Sequence, residues 1–176
     1  KAFDGGVTTF AVLAPDSGYG RAVSAAFTAE VVALGGKVVE TDTYAADTKS
    51  FASAASKLGK GWDALLVPDQ ADKLELLVPA LAAAGLPVRA LGAKAGSSRS
   101  IVLLSTAEGV AADFLVDAGR HSVGALLAPG FYPDLDDEAI GAFVRGYQRE
   151  FGGLPTAVGA YAFDAAQLVQ RSGAAG

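Results

Sequence analysis

Thr8-Thr9-Phe10-Ala11-Val12-Leu13-Ala14 is a β-branched and apolar run that stops at Pro15-Asp16-Ser17-Gly18-Tyr19-Gly20, and the fold is decided by how the chain continues from there. Val23, Phe27, Val31 and Leu34 recur at helical spacing until Gly35-Gly36 ends the pattern, so the unit reads strand, turn, helix. The unit then repeats. Residues 37–44 alternate apolar and polar side chains as a strand does, and residues 51–58 read as an alanine-rich helix closed by Gly59. Residues 62–67 form a continuous apolar run of the kind buried on both faces of a parallel sheet. Leu74, Leu77, Val78 and Leu81 mark a third helix ended at Gly85, with Pro79 as a candidate kink. Residues 101–104 and 123–128 read as a fourth and a fifth strand, with a helix over 111–118 between them. Alternating strands and helices imply an α/β fold: an open parallel sheet of about five strands, joined by right-handed crossovers and flanked by helices on both faces.

Two stretches depart from this register. Residues 87–100 read as an insertion, with a short extra strand at 87–91 and a loop at Ala95-Gly96-Ser97-Ser98. After Pro129-Gly130 come two helical patterns, 138–151 and 158–170, with no strand between them. These C-terminal helices either cap the same sheet or belong to another lobe reached through the link at 129–134.

Composition narrows the function. The 176 residues are enough for one domain with a real core and too few for two ordinary ones. Hydrophobic residues make up 51% of the chain and charged residues 19%, which places it among folded globular chains. A net charge of −5 would repel phosphate backbones, so no nucleic-acid partner is expected. The absence of cysteine removes disulfides and thiolate chemistry and leaves the redox compartment open. Apolar runs are broken by Gly, Pro or charge before the ~18 residues of a membrane span. No secretory signal begins at Lys1, which reads as a mature chain or a piece of a longer one.

In open parallel sheets ligands collect beyond the carboxyl ends of the strands, so the turns there hold the candidate site residues. The first turn offers Ser17, Tyr19 and Gly20 at the mouth of a helix whose free N–H groups suit an anion. Its alternative is a plain helix cap with turn glycines. The third glycine of a dinucleotide fingerprint is missing, since Val23 stands there. Tyr19 favours a ligand wall, as a large amphipathic ring beside a flexible turn. Asp69 and Gln70 follow the third strand, either facing a ligand or forming a polar turn in which Asp69 caps the next helix. Thr106 and Glu108 follow the fourth, where Ser105 and Glu108 also have the spacing of a capping box. Pro129 to Pro133 forms the remaining turn.

Catalytic machinery is scarce. His121 is the only histidine and reads as a surface side chain, so neither a metal site nor a cofactor site is expected. No G-x-S-x-G elbow and no phosphate-binding lysine loop occurs. The acidic group Asp134, Asp136, Asp137 and Glu138 opens a helix, where negative charge complements the macrodipole. No catalytic residue is assigned, and the chain is not read as an enzyme.

Three stretches together resemble the type I periplasmic-binding fold, in particular the branched-chain amino-acid-binding group used by ABC importers. They are Phe10 to Gly20, Gly35-Gly36-Lys37-Val38-Val39 and Tyr161-Ala162-Phe163-Asp164-Ala165-Ala166. The resemblance corresponds to the second of two Rossmann-like lobes and the return crossover. It implies a lobe over 1–130, and over 131–176 a hinge return, in which Phe131-Tyr132-Pro133-Asp134 resembles the last hinge strand, with helices that pack on a missing first lobe. It further implies that Tyr19 lines the solute site and that Glu108 stands where the family places a carboxylate for the ligand's amine. The family's aromatic residue after the third strand is replaced here by Gln70-Ala71.

The implied function is extracytoplasmic, in the periplasm or its equivalent: binding a small polar solute such as an amino acid and presenting it to a membrane transporter or receptor. Trp62 to Asp69 with Leu77-Val78-Pro79-Ala80-Leu81 looks closer to the penicillin-binding-protein activators, which implies instead a regulatory module that contacts a cell-wall synthase. A phospho-receiver domain is the third class, since Asp16, Asp69 and Thr106 stand beyond successive strands. The lysine that it needs after the fifth strand is replaced by Leu127-Ala128-Pro129.

Overall fold

The computed structural model describes residues 2–93, 99–110 and 118–173. The chain forms two compact units, Lys1–Ala128 and Pro129–Gly176.

In the first unit β1 (Thr9–Pro15), β2 (Lys37–Tyr44), β3 (Ala64–Leu66), β4 (Val102–Ser105) and β5 (Leu126–Leu127) make one parallel sheet in the order β2-β1-β3-β4-β5. The helices are α1 (Gly18–Ala33), α2 (Ala52–Lys57) and α3 (Ala71–Ala83). Successive side chains of a strand point to opposite faces, and β1 supplies apolar groups to both. Ala11 and Leu13 share a core with Ala55 of α2 and Leu74, Leu77 and Leu81 of α3. Phe10, Val12 and Ala14 pack with Val23, Phe27 and Val31 of α1 on the other face. The result is the α/β lobe expected, with helices on both faces. Strand β2 forms one edge of the sheet, which is why it alternates where β3 and, after Thr9, β1 are apolar throughout.

Local chemistry sets the element ends. The Ser17 hydroxyl caps α1 by accepting from the Gly20 N–H at 3.0 Å. Gly20 itself is dictated by space, since a Cβ there would lie 2.1 Å from the Pro15 carbonyl oxygen. Helix α3 runs through Pro79 without a break. Below the sheet's carboxyl edge, the Glu40 carboxylate accepts from the Gly59 N–H at 2.9 Å and from the Trp62 indole N–H at 2.7 Å. The Arg99 guanidinium lies 4.3 Å from the centre of the Trp62 ring and donates to the Gly59 carbonyl at 2.7 Å.

Some expectations shift. Strand β5 is only two residues long because Gly124, at φ +99°, and a turn closed by the Ala125 N–H on the Ser122 carbonyl occupy the start of the expected run. The extra strand expected at 87–91 reduces to a single parallel bridge between Val88 and Ile101. The loop expected at Ala95 to Ser98 lies outside the described residues, as does most of the helix expected at 111–118.

The second unit contains α4 (Glu138–Phe151) and α5 (Ala157–Gly173), where two helices were expected. Asp137 caps α4, accepting from the Ile140 N–H at 2.9 Å, and Gly152 at φ +75° ends it. The acidic group therefore serves the helix start. Phe143, Tyr147 and Phe151 recur every fourth residue and stack in sequence, with the Phe163 ring of α5 4.5 Å from that of Phe143. Residues 131–134, likened to a hinge strand, take no regular structure. Among the described residues no helix is long and apolar enough to cross a membrane.

Candidate functional site

All five strands run the same way, so the turns after β1, β2, β3 and β4 meet along one edge of the first unit. Two hydrogen bonds knit that edge together. The Tyr19 hydroxyl, from the first turn of α1, reaches the Thr106 hydroxyl at 2.8 Å. Neighbouring parallel strands lie ~4.8 Å apart, and β3 separates β1 from β4, so Tyr19 extends across the end of β3 to make this bond. Tyr19 as a whole remains 44% exposed. The Tyr44 hydroxyl, at the end of β2, donates to Asp69 Oδ2 at 2.6 Å, while Asp69 Oδ1 accepts from the Gln70 N–H at 2.8 Å.

The expected residues divide by what they do here. Tyr19 and Thr106 are brought together. Ser17 and Gly20 are joined as cap and capped N–H. Glu108 is exposed in a short 3₁₀ turn, Ala107–Gly109, and the side chain of Gln70 is exposed as well. Asp16, also at this edge, is paired with Arg21 at 2.7 Å, both side chains facing solvent.

Two capping readings are corrected. Asp69 does not cap α3, whose N-cap is Gln70 without a side-chain bond, because the Tyr44 hydroxyl and the Gln70 N–H hold both carboxylate oxygens. Ser105 and Glu108 form no capping box. Ser105 still belongs to β4, is buried, and donates to the Val67 carbonyl at 2.7 Å, tying β4 to the end of β3. That leaves the turn after β4 without a side-chain cap.

Tyr44 is the member of the edge that sequence reading missed. Burial first, then the hydrogen bond to Asp69 and the charges of Asp69 and Asp72, hold its phenol well above the ordinary tyrosine range. The available signal was positional: a tyrosine at the last residue of a strand must arrive at the same edge as every other strand end of a parallel sheet. Gly109 is a second omission, since a Cβ there would meet Leu74 at 2.5 Å and the Ser105 hydroxyl at 2.8 Å.

This arrangement supplies an aromatic wall, two hydroxyls and carboxylates on a rigid scaffold. Among the described residues it contains no group of three or more His, Asp or Glu side chains poised for a metal ion.

Comparison with known proteins places the fold. The periplasmic binding protein family model matches residues 2–174. No curated protein matches by sequence. Among solved structures, a leucine-binding protein from Thermotoga maritima superposes with a TM-score of 0.68 at 18% identity, over 92% of this chain and 43% of that one. A leucine-, isoleucine-, valine-, threonine- and alanine-binding protein from Brucella ovis, in a closed conformation, gives 0.69 at 20% identity, over 94% and 40%. A solute-binding protein of an ABC transporter from R. palustris, in complex with benzoate, gives 0.61 at 21% identity, over 94% and 42%. This chain thus spans under half the length of these neighbours. With a matching family model over nearly every residue and a sheet of the type I periplasmic-binding lobe, the chain belongs to the periplasmic binding protein family.

Proposed function

We propose that the chain is the second lobe and return helices of a two-lobed extracytoplasmic solute-binding protein, and that it takes a small polar solute such as an amino acid for an ABC-type importer or a sensor. The observation that carries this reading is the Tyr19–Thr106 bond, which sets an accessible aromatic ring beside hydroxyl groups along the carboxyl edge of a parallel sheet. Leucine and benzoate, named for two of the structural neighbours, are small carboxylates with an apolar body.

The second unit supports the two-lobed form. A cavity of about 520 Å³ on α4 and α5 is walled by Phe143, Tyr147, Phe151 and Phe163, and Val158, Leu168 and Val169 of α5 are each more than 60% exposed. Apolar surface of this kind is normally covered. Here its cover is the first lobe. With both lobes present, a solute touching each favours the closed state by its differential affinity, and a membrane partner reads that state. Residues 1–130 then form the half-cleft and 131–176 the return; no bond is made or broken, and no cofactor is required.

The test is a thermal-shift measurement on the two-lobed protein with L-leucine, L-isoleucine and benzoate. The expected result is a rise in Tm with at least one solute that disappears in Tyr19→Ala and Glu108→Ala. A well-folded two-lobed protein whose Tm none of these solutes moves would overturn the reading.

A further inference from the structure

The polar groups of the carboxyl edge differ in what they have left to offer. Asp69 has both oxygens engaged, by the Tyr44 hydroxyl and the Gln70 N–H. Asp16 faces solvent and is paired through one oxygen with the equally exposed Arg21. Thr106 is different. Its hydroxyl meets that of Tyr19, and either oxygen could in principle donate in such a pair. Phenol chemistry decides the direction: conjugation of the oxygen lone pair into the ring makes a phenolic O–H the stronger donor and its oxygen the poorer acceptor. Tyr19 therefore donates, and Thr106 accepts.

A hydroxyl whose oxygen is already accepting still carries its own proton. Among the hydrogen bonds of the described residues Thr106 Oγ1 appears only as an acceptor, so that proton has no protein partner there. The pair is also cooperative, since a hydroxyl that accepts a hydrogen bond becomes a better donor. Thr106 is held in place by the extended backbone of an N-cap position and by its own carbonyl, which accepts the Gly109 N–H at 3.1 Å.

We infer that Thr106 is a specificity-determining donor, oriented by Tyr19, and that the bound solute presents to it an acceptor oxygen of the carboxylate or carbonyl class rather than an amine. This rests on the solute-binding reading above. Tyr19 acts here as a positioning residue through its hydroxyl, separately from any packing of its ring.

The experiment is calorimetric titration of the two-lobed protein with L-leucine, L-isoleucine and benzoate, on the wild type and on Thr106→Val, Thr106→Ser, Thr106→Asp and Tyr19→Phe, each first shown to be folded by circular dichroism. Thr106→Val keeps the shape and removes the donor, so affinity falls about tenfold. Thr106→Ser restores it. Thr106→Asp sets a carboxylate against the solute's oxygen, and affinity falls further than in the valine variant. Tyr19→Phe keeps the ring and frees the Thr106 hydroxyl to turn, giving a loss of about threefold. Wild-type binding with an unchanged Thr106→Val affinity, or with tighter binding by Thr106→Asp, overturns the inference and leaves the solute-binding reading standing. Failure of the wild type to bind any of the three solutes overturns that reading, and this inference with it.

Discussion

The Tyr44 hydroxyl and Asp69 Oδ2 lie 2.6 Å apart, a bond that ties the end of edge strand β2 to the turn after β3 across the intervening β1. Tyr44→Phe removes the donor and leaves one carboxylate oxygen without its protein partner. Stability falls by about 1–2 kcal/mol, checked by urea denaturation. The ring should stay in place, since it also packs edge-on against Phe51 at 4.8 Å.

The same tyrosine sets an alkaline limit. Its folded-state proton is held above the unfolded value of 10.0 by burial and by Asp69. Below about pH 10 both states keep the proton and stability is unaffected. As pH rises past that point the unfolded chain releases it while the folded chain does not, so the unfolded state binds fewer protons and stability falls. Melting temperatures of the wild type from about pH 8 to about pH 11 therefore decline more steeply than those of Tyr44→Phe. Parallel curves would count against the bond.

Glu40→Ala strips two donors of their acceptor, the Gly59 N–H and the indole N–H of buried Trp62. The expected cost is about 2–3 kcal/mol. Trp62 is the only tryptophan, so its emission reports on the site directly, and a red shift in the variant marks water reaching the indole.

Gly20→Ala tests close packing at the first turn of α1. Alanine is intrinsically the better helix former by about 1 kcal/mol. The added Cβ would lie 2.1 Å from a backbone oxygen, which can yield only if the turn moves. Overpacking wins, and the variant loses about 1–3 kcal/mol by thermal denaturation.

Much of this fold is legible directly in the chain. The apolar run of β1 and the spacing Val23, Phe27, Val31 are local signals, and they specify strand, helix and face. Helix α4 is legible to both of its ends because Asp137 and Gly152 mark them chemically. What the chain hides is pairwise. Ser105 and Glu108 have capping-box spacing, yet spacing does not reveal that Ser105 remains in a strand next to the Val67 carbonyl. Asp69 looks like a cap because its partner Tyr44 stands 25 positions away. The Tyr19–Thr106 bond joins residues 87 positions apart, so their meeting follows from strand order, which no local pattern encodes. Strand β5 looks longer in sequence than it is because its apolar run continues through a glycine turn.

The two margins of the sheet have different consequences for how these molecules behave when crowded. Strand β5 is too short to template anything, whereas β2 offers eight residues of extended backbone along its outer side. Such an edge invites another chain to add itself as a further strand. Lys37 and Asp42 place charges along β2, and a second copy approaching edge to edge would have to strip water from its own pair. The strand that anchors Tyr44 therefore also acts as a guard against fibrous self-association.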